Sequence, residues 1–381
     1  MSRAAELAKV GVIGSTLPTI SESLTNRQIG GRRNMLINGA MKVAQRGTAT
    51  SAGALGDAVE MGNIDRYKIE AGSTAGRFTM EQTAITDLPG FANAMELTCT
   101  TADTSIAAGE FIILAQYLEG QDVQQMSKGT SSAEVVTVSF YVKGNAAAVH
   151  TLELRDNDNS RFNSQEFPVT TDWVRITRTF VGDTSGAFDD DIALSLKVNI
   201  WLHAGSTYTG GTHVSNAWGT TANTRVGDNQ TSFVDATSRN LFITGYQVEI
   251  GSVATPFEHR SFDEELILCF RYFYKHTISY LSGYCPNTTR ADIALQFPCE
   301  MRVAPTAFTA VGTPAHLAIQ NEATATTCNS AVTVNFPDNV TSSGSRIQGH
   351  VGSGLTVGNG VILYNPDAGT NDYHITFSSD L

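Results

Sequence analysis

The sequence predicts an all-β protein, in which a jelly-roll β-sandwich is followed by one short linker helix and a smaller C-terminal β domain. Three observations predict this class. Apolar and polar residues alternate in many short segments, turn residues separate those segments, and the stretch before residue 262 shows hardly any helical periodicity. A period of two is typical of strands that bury one face, and the absence of a strand–helix rhythm favours a sandwich or jelly roll.

Three regions follow one another along the chain. Residues 1–33 are short of core-forming side chains, and Ser2 is placed to cap a brief helix that ends at Val10. Because so short a helix is not stable alone in water, we expect a docking arm that a partner or sister subunits hold in place. A frayed terminus is the alternative. Residues 34–262 form the predicted jelly-roll domain, and residues 263–381 form the linker helix and the C-terminal β domain.

The predicted strands of the jelly roll alternate in character or are continuously apolar. They are Met35–Ala44, Arg77–Gln82, Ala94–Thr100, Phe111–Leu118, Val135–Lys143, His150–Arg155, Trp173–Val181, Ile192–His203 and Leu241–Ile250. The Asp- and Asn-rich run from Arg155 to Arg161 is predicted to be a hairpin tip, because it lacks the glycine and the distal glutamate of a calcium loop.

The linker helix has a clear start signal. Gly251 ends the preceding strand pattern, and Ser261 stands three residues before Glu264, which is the spacing of a capping box. Apolar residues at Leu266, Ile267, Phe270 and Phe273 then follow helical spacing. After this helix the pattern becomes β again. The predicted strands of the C-terminal domain are Thr277–Tyr284, Ile293–Phe297, Val332–Phe336, Gly360–Tyr364 and His374–Phe377.

Composition argues against two kinds of partner. The 381 residues include 25 basic and 37 acidic side chains, so the net charge of −12 disfavours nucleic acid and anionic membranes. No apolar run approaches the roughly 20 residues of a membrane span, so no membrane insertion is expected. The five cysteines are odd in number and far apart, without a metal-binding spacing. We therefore expect reduced, mostly buried thiols and assembly in a cytoplasm.

Enzyme chemistry is not expected from the motifs. The chain has no P-loop and no HExxH motif, and Gly182–Gly186 centres on Thr184 where a nucleophile elbow needs serine. No cofactor is predicted. Asp183 and the aspartates at 189–191 are compatible with one structural calcium or with an ordinary solvated loop. A glycan depolymerase is an alternative function, because glycoside hydrolysis needs two nearby carboxylates and the sequence offers two such pairs, Glu119 with Asp122 and Glu153 with Asp156.

The strongest candidate binding face lies on the predicted strand Ile192–His203. Its even-numbered positions form an unbroken apolar row, so the odd-numbered side chains face the other side of the sheet. That second row ends in four side chains that suit a sugar, namely Lys197, Asn199, Trp201 and His203. A sugar offers an apolar ring face for the indole and hydroxyl groups for the polar side chains.

Three further aromatic residues extend this candidate face. Tyr141 is on the outward row of the strand Val135–Lys143, and Tyr208 and Trp218 lie in the run GSTYTGGTHVSNAWGTT, which could overhang the face. The alternative is that Trp201 lies under this run as a core residue. On the binding interpretation, replacing Trp201 with alanine abolishes binding and leaves the thermal transition nearly unchanged. The predicted carbohydrate-binding residues are Lys197, Asn199, Trp201, His203, Tyr141, Tyr208 and Trp218.

Three stretches, GYQVEIGSVATPFEHRSFDEELILCFRYF from Gly245, YLEGQDVQQMSKGTSS from Tyr117 and STYTGGT from Ser206, resemble tail-fibre-like, receptor-binding structural proteins of tailed phages of marine bacteria. The resemblance implies a virion protein with a jelly roll like that of carbohydrate-binding modules. It implies a homotrimer that is assembled in the host cytoplasm, is attached to other virion proteins through the N-terminal arm and binds host surface polysaccharide. A capsid decoration or other non-adhesive virion component is the alternative.

Overall fold

The computed structural model describes residues 32–50, 55–56, 58–322, 324–334, 338–366 and 372–381. The predicted arm, residues 1–33, therefore lies almost wholly outside the described residues. The chain divides into two compact units, the first of residues up to Lys42 with Gly47–His259 and the second of Val43–Arg46 with Arg260–Leu381. The sequence predicts this division at residue 262 and does not assign Val43–Arg46 to the second unit.

The first unit is a sandwich of two antiparallel sheets, as the sequence predicts. The six-stranded sheet has the order β1-β2-β5-β10-β7-β8, and the five-stranded sheet has the order β3-β4-β11-β6-β9. The strands are β1 Val59–Met61, β2 Tyr67–Gly72, β3 Arg77–Ala84, β4 Asn93–Thr101, β5 Phe111–Glu119, β6 Val136–Gly144, β7 Ala148–Asp156, β8 Arg161–Val169, β9 Val174–Phe180, β10 Leu194–Ala204 and β11 Asn240–Ile250. Two four-residue helices, α1 Gly120–Val123 and α2 Ser206–Thr209, lie in the connections.

The core of the sandwich is made by the strand faces that alternation predicts. The even-numbered side chains of β10, from Leu196 to Leu202, all lie in one apolar cluster with Leu152 of β7 and Phe140 of β6. Burying an aliphatic side chain of this size is worth about 1.5–3 kcal/mol, so the β10 row alone is a large stabilising contribution. The row therefore fixes the register of β10, because a shift by one residue would turn it away from the core.

Some parts of the sandwich differ from the sequence prediction. Met35–Ala44 is buried but forms bends and a turn, with positive φ at Asn38 and Met41, where a strand was predicted. Strands β1, β2 and β8 were not predicted. The predicted hairpin tip is confirmed, because the chain turns between β7 and β8.

The second unit opens with the predicted helix, α3 Phe262–Phe270, and the capping box between Ser261 and Glu264 is present. The helix ends before Phe273, which instead begins strand β12. A three-stranded sheet has the order β12-β21-β15, and a seven-stranded sheet has the order β17-β16-β20-β13-β14-β19-β18. The strands are β12 Phe273–Thr277, β13 Tyr280–Asn287, β14 Arg290–Gln296, β15 Ala307–Val311, β16 Ala318–Asn321, β17 Thr324–Thr327, β18 Thr333–Val334, β19 Gly344–His350, β20 Gly360–Tyr364 and β21 His374–Ser378.

All five cysteines are free thiols, and only Cys299 is not fully buried. Burial raises the pKa of the Cys328 thiol to about 11, so this group stays protonated near neutral pH. None of the helices in the described ranges has the length and apolar character needed to span a membrane.

One buried histidine makes the stability of the sandwich depend on pH. His150 on β7 is buried, and burial lowers its pKa from 6.5 to about 4. Because the unfolded chain takes up this proton at a higher pH than the folded chain does, protonation favours unfolding. We expect the free energy of unfolding to fall between pH 6.5 and about 4. In His150→Gln, urea titrations across that range should give a flatter pH profile, and an unchanged profile would contradict this assignment.

Candidate functional site

The predicted row on β10 faces away from the core, but most of it is covered. Asn199, Trp201 and His203 are 1%, 0% and 0% exposed. The cover is residues 205–234, here named the covering segment. Its backbone is tied to the sheet by the amide of Gly227, which donates to Thr151 Oγ1 at 3.1 Å, and by the amide of Phe233, which donates to the carbonyl of Leu202 at 2.7 Å.

A buried ion pair lies at the centre of the covered area. Glu153 of β7 accepts two hydrogen bonds from Arg225 of the covering segment, at 2.7 and 2.8 Å. Asn199 Nδ2 and Trp201 Nε1 donate to the same carboxylate at 2.8 and 3.2 Å. Burial alone would raise the pKa of Glu153, but the charge and hydrogen bonds of Arg225 outweigh it and hold that pKa below its usual range.

The same area has an aromatic layer. The ring of Trp201 lies 5.0 Å from that of Tyr208, and the guanidinium of Arg225 lies over the Trp201 ring at 4.7 Å. His203 contacts Ser232 Oγ through Nδ1 at 2.7 Å and Glu110 through Nε2 at 3.2 Å. The prediction that Asn199, Trp201 and His203 form an open platform is therefore wrong, because these three side chains are buried. The covering segment makes them a second buried layer.

The remaining part of this sheet face is only partly covered, and it carries a polar cluster in which Lys68, Glu70, Arg155 and Lys197 are partly exposed. Lys197 donates to the two carboxylate oxygens of Glu70 at 2.9 and 3.1 Å, and Tyr117 Oη donates to Glu70 at 2.7 Å. Lys68 and Lys197 lie over the Tyr117 ring at 4.7 and 4.6 Å. Arg155 is opposite Lys197 in the β10–β7 pairing. Lys68, Glu70, Tyr117, Arg155 and Lys197 are named the outer polar cluster.

Arg155 differs from the other members of the outer polar cluster. Its side chain is half-buried and is attracted by Glu153 and Glu70, yet its guanidinium forms no hydrogen bond or ion pair with the described residues. Burial and the nearby Arg225 lower its pKa, while the guanidinium still carries a full charge at neutral pH. A half-buried guanidinium with unused donors is suited to binding an oxygen-rich ligand.

The other predicted aromatic residues lie apart from one another. Tyr208 is half-exposed and borders the covered area, with its ring 5.6 Å from that of Phe111. Tyr141 lies on the outer face of the five-stranded sheet, 5.4 Å from Phe91. Trp218 packs against the core and donates from Nε1 to the carbonyl of Val181 at 2.7 Å. Of the seven predicted residues, four are thus partly exposed, namely Tyr141, Lys197, Tyr208 and Trp218, and Lys197 is the one of these on a strand of the six-stranded sheet.

One member of the predicted acidic cluster, Asp183, is paired with basic side chains. Asp183 accepts from Arg161 at 2.6 and 3.0 Å, and Lys128 Nζ lies 3.3 Å from it. Lys128 also forms an ion pair with the buried Asp156. Within the described ranges, no three His, Cys, Asp or Glu side chains are arranged to hold a metal ion.

Three carboxylates of the two pairs considered for a depolymerase are engaged by other side chains. Glu119 accepts from Gln121 Nε2 at 2.8 Å. Glu153 is bound by Arg225, while Asp156 is bound by Lys128. Sequence reasoning missed Arg155, Tyr117 and Arg225 as site residues. Period-two alternation, applied to β5 and β7 as it was to β10, places Tyr117, Glu153 and Arg155 on the outward side, but no local pattern points to Arg225.

No protein-family model matches the chain, and no curated protein matches it. Among solved structures, a family 4 carbohydrate-binding module is 13% identical over 48% of this chain and 86% of its own, with a TM-score of 0.27. The module TmCBM61, solved with β-1,4-galactotriose, is 11% identical over 57% of this chain and 99% of its own, with a TM-score of 0.29. A family 11 module from Clostridium thermocellum, solved with a mixed-linked tetrasaccharide, is 11% identical over 50% and 91%, with a TM-score of 0.27. Likenesses of this strength carry no argument about what this chain binds.

Proposed function

We propose that this chain is a phage tail-fibre or receptor-binding protein that attaches to host surface glycans through the outer polar cluster. The observation that carries the glycan part is Arg155, a half-buried guanidinium with unused donors on the partly exposed part of an otherwise covered sheet face. Beside it, Lys197 and Glu70 supply a further donor and an acceptor. Sugar hydroxyls both donate and accept, so they need such a mixed set.

An aromatic side chain beside the covered part of the same sheet face suits the same ligand. Tyr208 is half-exposed and is held from behind by the buried Trp201, 5.0 Å away. Its ring offers a surface for the apolar face of a sugar. Because the ring is fixed by packing on Trp201, little side-chain entropy is lost when a ligand stacks on it.

The virion part of the proposal is supported by the sequence stretches that resemble phage tail proteins. In this proposal the chain is a homotrimer, residues 1–33 attach it to other virion proteins, and no reaction is catalysed. Immunogold labelling of intact virions separates a tail location from a head decoration. Release of reducing ends from host polysaccharide would contradict the non-enzymatic assignment.

Replacing Arg155 with alanine tests the glycan site. We expect affinity for an immobilised bacterial surface polysaccharide to fall roughly 10- to 100-fold, because a charged donor contributes about 1.5–3 kcal/mol. The thermal transition should be nearly unchanged, since no described acceptor is left unpaired by the substitution. Surface plasmon resonance on a panel of such polysaccharides measures the first quantity and calorimetry the second.

The matched control is Lys275→Ala, which removes one positive charge from the second unit. The affinity of this variant for the polysaccharide should stay within about two-fold of the wild-type value. That result would separate a local contact of Arg155 from a general effect of charge. If wild type and Arg155→Ala bind every polysaccharide of the panel with equal affinity, the outer polar cluster is not the binding site.

A further inference from the structure

The outward face of the seven-stranded sheet in the second unit carries three tyrosines that the proposed glycan site does not use. Tyr280 and Tyr284 on β13 are 71% and 49% exposed. Tyr364 on β20 is opposite Tyr280 in the strand pairing, and their rings lie 5.6 Å apart with planes only 5° from parallel. Aromatic rings this exposed on a regular sheet face mark an interaction surface.

A groove lies beside Tyr284 on the same face. Its volume is about 450 Å³, within the roughly 300–1,000 Å³ of ordinary small-molecule pockets. Small side chains, Ser282 and Ala294 with Gly344, line it, so a ligand can approach the sheet closely. The groove is therefore open and concave, and the ring of Tyr284 lines one side of it.

The polar side of the groove is built around one buried carboxylate. Asp292 on β14 is 2% exposed and pairs with Arg290 Nε at 2.9 Å and with Arg346 Nη1 at 3.6 Å. Ser345 also lines the groove, and its buried hydroxyl has no hydrogen-bond partner among the described residues. The carboxylate holds the two guanidinium groups in place, and Arg346 remains partly exposed at the rim.

We propose that this face is a second saccharide-binding site, which takes a neutral oligosaccharide. Tyr280 and Tyr284 are four residues apart on one strand, about 14 Å, so the two rings together contact more than one sugar unit. The positive charges of Arg290 and Arg346 are balanced by the negative charges of Asp292 and of Asp338 at the edge of the groove. Because the local net charge is then close to zero, the groove favours an uncharged ligand.

The composition of the face favours a sugar over a second copy of the chain. Interface cores between proteins are depleted of charged residues, whereas here the Arg290–Asp292–Arg346 group lies beside the exposed rings. A sugar needs both kinds of group together. The rings suit its apolar face, and the arginines with the Gln296 and Asn339 amides that line the groove supply donors for its hydroxyls. The site uses side chains of the second unit alone, so it can be tested independently of the outer polar cluster.

The test uses the full chain carrying Arg155→Ala, so that the outer polar cluster is already disabled. Isothermal titration is run with a panel of neutral di- to tetrasaccharides of glucose, galactose and mannose. We expect at least one to bind, Tyr284→Ala and Tyr280→Ala each to weaken it roughly ten-fold, and Tyr284→Phe to keep most of the affinity. The control Val357→Ala, which alters another exposed apolar residue of this unit, should have no effect.

Three outcomes would overturn the proposal. One is that no oligosaccharide of the panel binds, and a second is that binding survives both tyrosine substitutions. The third is that the substitutions change the sedimentation coefficient of the chain without changing any sugar binding, which would make this face a contact between copies. If Arg155→Ala weakens polysaccharide binding, while the tyrosine substitutions made in the otherwise wild-type chain do not, the first site remains and only the second is removed.

Discussion

Replacing Trp201 with alanine should lower the free energy of unfolding by roughly 3–5 kcal/mol, the cost typical of removing a buried large aromatic side chain. The indole is fully buried between Tyr208, Phe111 and Arg225. Its removal leaves a cavity under the covering segment and takes one donor from Glu153. For a unit of this size we expect the melting temperature to fall by about 2–4 °C per kcal/mol. Calorimetry and urea titration measure the change.

Two variants isolate the cause of this loss. Trp201→Phe keeps an aromatic ring but removes the indole N–H, so it should cost clearly less than Trp201→Ala. Trp173→Ala, on the half-exposed outer face of the five-stranded sheet, should also cost less. If Trp201→Ala melts within a degree of the wild type, the covering segment does not bury the indole, and the open-platform interpretation of β10 returns.

The sandwich could be predicted from the sequence because its core obeys a local rule. Each core strand, such as β10 with Leu196, Val198 and Ile200, alternates with a period of two, and that period is visible in any short window. The capped helix α3 was predictable for the same reason, since Ser261 and Glu264 are only three residues apart. Local patterns are therefore enough to give the fold class.

The site could not be predicted as well, because its burial depends on contacts between distant residues. The covering segment is rich in Gly, Thr, Ser and Asn and has no period, so its place over β10 is not visible in its own sequence. Alternation shows that Trp201 points away from the core, but an outward side chain can face either solvent or a second layer. Strand β8 was missed because Asn163, Ser164 and Gln165 are polar and Pro168 is unusual in a strand.

Glu153→Ala should destabilise the first unit as strongly as Trp201→Ala. The substitution leaves the buried guanidinium of Arg225 without its carboxylate, and removing one partner of a buried ion pair typically costs about 3–5 kcal/mol. Glu166→Ala, at a half-exposed carboxylate of neighbouring β8 that accepts from Asn229, is the control and should cost far less. Urea titration at neutral pH compares the two. A Glu153→Ala variant as stable as Glu166→Ala would show that Arg225 finds solvent or another partner.

The pH dependence of the same pair gives an independent measurement. Because the folded pKa of Glu153 lies below its ordinary value of 4.5, its contribution is present above pH 4.5 and is lost as the pH falls toward the folded value. Glu153→Gln should therefore remove part of the acid-induced loss of stability. A further substitution of Arg225 by methionine in that variant should restore stability, since it removes the uncompensated charge and leaves an apolar side chain against Trp201. Recovery in the double variant would show that the charge of Arg225, and not the shape of the cover, is what makes Glu153 indispensable.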